Sequence, residues 1–210
     1  LQENDLSNIV TLGFRGEALA SIGAVAMMSI ETRHSDELEG TRLVVEGGLQ
    51  RELHSIGRAR GTTISVRQLF FNTPARRKFM RHIDTEARHI TQVIVHLAAA
   101  YPRVGFELEH QERNVLRFRP TTRQERALEL LGLSADDVLQ VELERDGVLL
   151  NGAISTPSQC RKSKAKQYLM VRNRPVYARM LVNAIYQGYS GLLPEGAHPS
   201  FLCWLDLDPK

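Results

Sequence analysis

Long hydrophobic runs, a secretory leader and a cysteine framework are all missing from this sequence. No stretch approaches 18 uninterrupted apolar residues, so the sequence predicts no membrane-spanning helix. The first residue is Leu1 and no basic, apolar leader follows it, so we find no targeting signal and expect a piece of a longer chain. Cys160 and Cys203 are too few for a disulfide scaffold and form no CxxC pair, which indicates reduced cysteines in a cytosolic or nuclear protein.

The usual catalytic and metal-binding signatures are also missing. The seven histidines form no HExxH motif, and no GxSxG sequence marks a nucleophile. His82, His89 and His96 recur every seven residues and share one helical face, but no cysteine or acidic residue completes a ligand set. We therefore expect no metal site and no catalytic residue in this chain.

Acidic residues are absent from two long windows, Leu53–Ile83 and Gly147–Pro194. These windows contain 14 of the 27 basic residues, although the net charge of the whole chain is only +3. Such a polarised distribution favours a polyanion on one side of the molecule and solvent on the other. The alternative is that both windows are ordinary solvated faces whose cations pair with distant acids.

The composition of the 210 residues, 42% hydrophobic and 24% charged, is that of an ordinary globular protein. Alternating β-branched segments and segments with helical periodicity follow one another along the chain, which predicts an α+β fold. Pro120-Thr121-Thr122 is the best candidate for a boundary between domains at residues 1–120 and 121–210.

The sharpest local motif is Gly13-Phe14-Arg15-Gly16-Glu17-Ala18-Leu19, two glycines three residues apart at the start of a helix. Glycines let backbone N–H groups approach an anion closely, and a helix N-terminus adds a favourable partial charge. The motif lacks the GK[ST] of a Walker A loop, so from the residues alone a phosphate site and a plain loop before a helix both remain open. Arg15 could pair with a phosphate or with a nearby acid.

Two basic segments follow later in the chain. Pro74 can start a short helix that displays consecutive cations, within Asn72-Thr73-Pro74-Ala75-Arg76-Arg77-Lys78-Phe79. Further on, a loop between predicted strands carries spaced cations and is continued by arginines. Such loops suit sequence-independent contacts with a nucleic-acid backbone. The predicted DNA-binding residues are Arg161, Lys162, Lys164, Lys166, Arg172, Arg174 and Arg179.

Taken together and in this order, the motifs resemble those of the MutL family of DNA mismatch repair proteins. The resemblance rests on the segment from Thr11 to Ile22, on Gly61-Thr62-Thr63-Ile64-Ser65-Val66, and on the segment from Leu69 to Phe79. It is strong from Asp5 to about Ile94 and weaker beyond, where Val171-Arg172-Asn173-Arg174-Pro175-Val176 resembles a strand and turn of the family's second domain.

The resemblance implies the C-terminal part of a GHKL-type ATPase α/β sandwich, followed by a transducer-like βαβ domain with a left-handed crossover. It implies an ATP-dependent switch that dimerises through the ATPase region, binds DNA and couples mismatch recognition to downstream repair proteins. ATP and Mg are the implied cofactors. Gly13, Phe14, Arg15, Gly16, Glu17, Ala18, Leu19 and Thr62 are the implied ATP-contacting residues. The implied location is the cytoplasm of a bacterium or the nucleus of a eukaryote, and no membrane is implied.

The family's catalytic Glu and Mg-binding Asn would precede Leu1, and its γ-phosphate Lys would follow Lys210. We therefore expect an N-terminal-region fragment of an ATPase that alone hydrolyses little or no ATP. Two alternatives stay open: a nucleic-acid-binding module without enzymatic activity, and the ATPase subunit of a topoisomerase.

Overall fold

A computed structural model of the protein describes residues 17–207. Its internal contacts divide the chain into two compact units, Leu1–His82 and Ile83–Lys210. The domain boundary predicted near residue 120 lies inside the second of these units and stays a prediction. Within residues 17–207, no helix has the length and apolar character needed to cross a bilayer.

The first unit is built on an antiparallel sheet. Helix α1 (Ala18–Gly23) leads into strands β1 (Met27–Arg33), β2 (Gly40–Glu46), β3 (Leu49–Ile56) and β4 (Gly61–Arg67), and helix α2 (Pro74–Lys78) follows. The four strands lie in the order β3-β2-β1-β4. The turn between β2 and β3 is Gly47-Gly48, with φ angles of 57° and 87° that glycine adopts without strain. A glycine pair between two alternating segments is a sequence signal for a hairpin, and the structure has a hairpin here.

The second unit begins with helix α3 (Ile83–Ala100) and a separate hairpin of β5 (Phe106–His110) and β6 (Arg113–Phe118). Helix α4 (Arg123–Leu131) starts at a capping box of Thr122 and Glu125 and ends at Gly132 in the left-handed conformation. Strands β7 (Val138–Arg145) and β8 (Val148–Ser155) come next. Strands β9 (Gln167–Val171) and β10 (Arg174–Pro175), helix α5 (Arg179–Gly188) and strand β11 (Phe201–Leu207) complete the unit.

The larger sheet of the second unit contains a βαβ element. Its strands lie in the order β10-β9-β11-β8-β7, and β11 runs parallel to β9 and antiparallel to β8. Helix α5 connects the two parallel strands. The α+β fold that the sequence pattern predicts and the βαβ element that the resemblance implies after residue 121 are therefore both present.

One face of this sheet packs against α3 and α4. Trp204 on β11 is buried, and its indole Nε1–H donates to the carbonyl oxygen of Ala99 at 2.9 Å. Leu130 and Leu131 of α4 and Met170 of β9 belong to the same core cluster. Burial of such side chains contributes about 1.5–3 kcal/mol each to stability, so the end of α4 is held firmly against the sheet.

The opposite face of the sheet is covered by α5. Leu181 and Ile185 pack against Leu169, Phe201 and Cys203. An apolar cavity of about 300 Å³ remains beside the helix, over β7 and β8. The orientation of α5 fixes where its N-terminal Arg179 lies relative to the sheet.

Candidate functional site

The predicted phosphate loop lies only partly within the structure. Gly13, Phe14, Arg15 and Gly16 fall outside the described residues. Glu17 is the N-cap of α1, and Ala18 and Leu19 form its first turn on the surface. The predicted helix after the second glycine is therefore present.

Hydrogen bonds join the C-terminal end of α1 to the second motif, the segment from Leu69 to Phe79. The Asn72 side-chain amide donates to the carbonyl oxygen of Ala24 at 2.9 Å, and the Phe70 backbone N–H donates to that of Val25 at 2.7 Å. From the other side, the N–H of Gly48 donates to the carbonyl oxygen of Gly23 at 2.9 Å. The two motifs, some fifty residues apart, are thus joined at one point.

The space at this junction explains why a glycine occupies the turn between β2 and β3. A Cβ atom on Gly47 would lie 3.2 Å from Phe71 Cζ and 3.3 Å from Asn72 Nδ2. The second motif therefore supplies both a hydrogen bond to the end of α1 and the wall against which the turn packs. The sequence suggested no role for Asn72, because the side-chain bond depends on a backbone carbonyl 48 residues earlier.

Thr62 lies on β4 with its side chain exposed on one face of the first sheet. Its hydroxyl is 2.8 Å from that of Thr32 on β1, and Thr41 on β2 stands opposite Thr32 in the register. This row of hydroxyls is followed on the same face by an apolar row that includes Ile64 and Ile30. Thr62 therefore presents a hydroxyl at the edge of an apolar surface.

The basic loop before β9 is attached to the end of helix α4. The Arg161 guanidinium donates to the carbonyl oxygens of Leu131 and Gly132, at 3.2 and 3.4 Å, and the Lys166 ammonium donates to that of Leu130. The last carbonyls of a helix have no partner within the helix, and they carry partial negative charge. Two of the seven predicted DNA-binding cations thus stabilise a helix terminus.

Lys166 is half-buried in this position, and the pKa of its ammonium group is lowered by burial and, to a smaller extent, by the charge of Arg161. The backbone on both sides of the loop is also fixed. The N–H of Arg161 donates to the carbonyl oxygen of His198 at 2.9 Å, and the N–H of Phe201 donates to that of Lys166 at 2.8 Å. Lys162 and Lys164, between these fixed points, are exposed.

The three arginines predicted to extend this surface lie elsewhere on the sheet. Arg172 and Arg174 flank the turn after β9, and Arg179 begins α5, whereas the basic loop precedes β9. Residues 166 and 172 are separated by the length of β9, about 20 Å at 3.3 Å per residue. The loop cations and the pair Arg172 and Arg174 therefore lie at opposite ends of one strand, and Arg179 begins α5 after β10 has turned back along β9.

Metal-binding side chains do not gather in the part of the chain that the structure describes. There, no group of three or more His, Cys, Asp or Glu side chains could hold a metal ion. His96, one of the three histidines at seven-residue spacing, makes an edge contact with Tyr168 at 6.0 Å between ring centroids. Burial lowers the pKa of His96.

Comparison with known proteins identifies the family. Residues 131–210, which include both groups of cations, match a family model described as "DNA mismatch repair protein, C-terminal domain". The MutL protein of Pelobacter propionicus is 38% identical over 208 residues, and that of Syntrophotalea carbinolica is 41% identical over 211 residues. Each of these alignments covers 99% of this chain.

The chain belongs to the MutL family of DNA mismatch repair proteins. It spans 34% of the length of each of these two MutL relatives. The solved ATPase domain of Aquifex aeolicus MutL, complexed with ADP, superposes with a TM-score of 0.75 at 26% identity. That match covers all of this chain and 77% of the Aquifex chain.

Gyrase shares the architecture at a greater distance. The ATPase domain of Thermus thermophilus gyrase B matches 92% of this chain with a TM-score of 0.50 and 12% identity, which shows a common fold alone. The predicted GHKL-type ATPase architecture is therefore confirmed. Sequence identity favours MutL over a topoisomerase subunit, since it is 38% with the Pelobacter MutL protein and 12% with gyrase B.

Exchanging Arg161 for Met should destabilise the protein, because two carbonyl groups at the end of α4 lose their donor. The expected loss is about 1 kcal/mol of unfolding free energy. For a chain of this length, such a loss lowers the melting temperature by about 2–4 °C.

Lys162→Met is the matched control, since it removes one positive charge from the adjacent position without touching α4. Its expected effect is within about 0.5 kcal/mol of zero. Thermal unfolding followed by circular dichroism measures both variants. Equal melting temperatures for the two variants would show that Arg161 does not stabilise the helix terminus.

Proposed function

We propose that the protein is a mismatch repair factor that works as an ATP-dependent dimerising switch. In this role it binds DNA without sequence preference and couples mismatch recognition to downstream repair proteins. The observation that carries the proposal is the match to MutL proteins along 99% of the chain, together with the fold of a MutL ATPase domain. This role places the protein with chromosomal DNA, in the cytoplasm if the cell is bacterial and in the nucleus if it is eukaryotic.

The nucleotide part of the proposal concerns Gly13–Leu19 and Thr62. Glu17, Ala18 and Leu19 form the exposed start of α1, a position where a helix terminus favours a negatively charged group. The Thr62 hydroxyl is exposed beside an apolar surface, an arrangement that suits a nucleotide base with polar edges and apolar faces. ATP and Mg are the proposed cofactors of the whole protein, and hydrolysis of ATP is its proposed reaction.

The proposed switch depends on the hydrogen bonds to the carbonyl oxygens of Ala24 and Val25, which fix the C-terminal end of α1. They fasten the end of α1 to the segment that carries Asn72 and the basic helix α2. A change at the start of α1 on nucleotide binding would thus be resisted at one fixed end of the helix. Self-association through the ATPase region is the proposed consequence of nucleotide binding.

The DNA part of the proposal concerns the exposed cations of the second window. Lys162 and Lys164 project from a loop whose two ends are hydrogen-bonded, so the free protein already holds them outward. Contacts from lysine to phosphate carry no sequence information, so binding should depend on salt and little on sequence. A plain nucleic-acid-binding module would share this property, but would not respond to ATP.

The nucleotide proposal is tested by exchanging Gly16 for Asp in the full-length protein. A carboxylate at this position repels the phosphates, and its Cβ obstructs the backbone approach, so ATP affinity should fall at least tenfold. Isothermal titration calorimetry gives the affinity. Gly188→Ala is the control, because a Cβ there would contact nothing within 4 Å. Undiminished ATP affinity in the Gly16→Asp variant would contradict the nucleotide assignment.

The DNA proposal is tested by the salt dependence of duplex binding, measured by fluorescence anisotropy. Contacts with about five phosphates predict that log K falls against log salt with a slope of about −4 to −5. The double variant Lys162→Gln/Lys164→Gln should flatten the slope by about 2, because two contacts are lost. Arg113→Gln, at the tip of the β5–β6 hairpin, is the control and should leave the slope unchanged. A slope unaltered by the double variant would remove this loop from the binding surface.

A further inference from the structure

Strand β7 forms one edge of the larger sheet, and its outer side is open. It pairs with β8 along its whole length, from Val138 opposite Ser155 to Arg145 opposite Val148, without a register shift. Within residues 17–207, no strand lies against its other side. Backbone groups alternate between the two sides of a strand, so about half of the N–H and C=O groups of β7 point away from β8. An eight-residue edge of this kind can accept a further strand.

The residues that usually protect an edge strand are missing from β7. The segment Val138–Arg145 contains no Lys and no Pro, and its pairing with β8 has no bulge. Instead, apolar and polar side chains alternate along the strand. Leu139 and Leu143, on one face, are 53% and 56% exposed, and Glu142 and Glu144 lie exposed on the other face. The edge therefore offers two rows of different character to a neighbouring strand.

The apolar row continues into the cavity between the sheet and α5. Leu139 and Val141 line this cavity on the β7 side, and Ala184 of α5 and Leu192 after α5 line it on the other side. Leu139 and Leu192 are more than half exposed, so the cavity opens to the surface beside the free edge. A residue directly opposite Leu139 or Val141 on an added strand would lie on this same face, with its Cβ atom about 5 Å away. The cavity, of about 300 Å³, has room for a leucine side chain.

The charges on the other face favour a basic occupant. Glu142 and Glu144 are exposed, and no Lys or Arg within residues 17–207 forms an ion pair with either carboxylate. Arg145, at the end of the strand, pairs with Asp146 instead. A lysine or arginine directly opposite a glutamate on a neighbouring strand is a favourable pair, whereas two opposed glutamates repel. The open edge is therefore complementary to a strand that carries cations.

A second copy of this chain fits the edge less well. Antiparallel pairing of two β7 strands that brings Leu139 of each opposite Leu143 of the other also brings both copies of Glu142 and Glu144 onto one face. Four carboxylates then lie on that face, with only glutamine and valine opposite them. Like charges in this arrangement repel, so the two glutamates oppose self-pairing of the edge.

We propose that β7 binds an extended segment of a partner protein in which basic and large apolar residues alternate. The segment adds to the sheet through backbone hydrogen bonds, its basic side chains face Glu142 and Glu144, and an apolar side chain enters the cavity. None of the residues that form this surface is among those assigned to ATP or DNA, so the inference goes beyond the proposed function.

The probe is the peptide Lys-Val-Lys-Leu-Lys-Val-Lys, acetylated and amidated, added to the full-length protein. Hydrogen exchange followed by mass spectrometry measures the protection of the segment Val138–Arg145. The outward backbone amides of β7 should exchange fast in the free protein and about tenfold more slowly with saturating probe. Strand β3, at the edge of the first sheet, is the control segment and should keep its rate.

Two changes examine the basis of recognition, with affinities measured by fluorescence anisotropy of labelled probe. The double variant Glu142→Lys/Glu144→Lys should weaken binding about tenfold, because two attractive cross-strand pairs become repulsive. The control Glu109→Lys/Glu112→Lys makes the same change of charge on the exposed β5–β6 hairpin and should leave binding unaltered. Replacing the leucine of the probe by alanine should weaken binding several-fold, because the cavity is then left unfilled.

Methyl groups on the probe backbone distinguish strand addition from general charge attraction. Two probes are methylated at alternate backbone nitrogens, one on each side of the extended peptide. The probe whose methyl groups face β7 should fail to bind and the other should bind, because only one side of the added strand bonds to β7. Equal binding of both methylated probes, or equal loss of affinity in the two double variants, contradicts the proposal.

The free protein also tests whether the edge has another occupant. Protection of β7 that rises with protein concentration in the absence of probe assigns the edge to a second copy. Full protection at every concentration assigns it to another segment of the same chain. Either result overturns the proposal, as does an exchange rate of β7 that the probe leaves unchanged.

Discussion

The carbonyl oxygens at the end of helix α4 need hydrogen-bond donors, and the residues that supply these donors determine which cations of the basic loop remain exposed. Arg161 and Lys166 bind these carbonyls, so both ends of the intervening loop are fixed next to the core that contains Leu130 and Leu131. Lys162 and Lys164 are left outside. Of the seven cations in this acid-free window, Arg161 and Lys166 thus stabilise the helix terminus, and Lys162 and Lys164 are exposed on the loop between them.

Hydrogen bonds to backbone carbonyl groups also join the two motifs of the first unit, the α1 segment and the segment from Leu69 to Phe79. The carbonyls at the end of α1 are bonded by the Gly48 N–H, the Phe70 N–H and the Asn72 amide. Helix α1 therefore ends on the segment that leads to α2. This contact gives a physical reason for the two motifs to occur together in one chain.

Much of the fold could be predicted from local patterns. The Gly47-Gly48 hairpin and the helix that ends at Gly132 depend on residues close in sequence, so local patterns indicate them. The βαβ element pairs β9 with β11, 34 residues apart, and is implied by the family resemblance. The start of α3 is less predictable: Asp84 before a segment of helical periodicity indicates an N-cap, but the helix begins at Ile83 and Asp84 lies in its first turn. The nucleotide and DNA residues were predicted by resemblance and by charge, and their contacts with ligands remain predictions.

What sequence could not reveal depends on contacts between distant residues. The roles of Arg161 and Lys166 require carbonyl groups 30 and 36 residues earlier in the chain, and charge alone cannot distinguish these two residues from Lys162. Composition identifies a basic window, whereas the structure separates the cations that support a helix from those that face solvent.

The most direct test of this division is lysine labelling with an amine-reactive reagent, followed by mass spectrometry, in the presence and absence of duplex DNA. The ratio of the two labelling rates for each lysine removes differences in intrinsic reactivity. Our account predicts that duplex DNA slows the labelling of Lys162 and Lys164 several-fold and leaves that of Lys166 unchanged. Equal protection of Lys166 and Lys164 would contradict it.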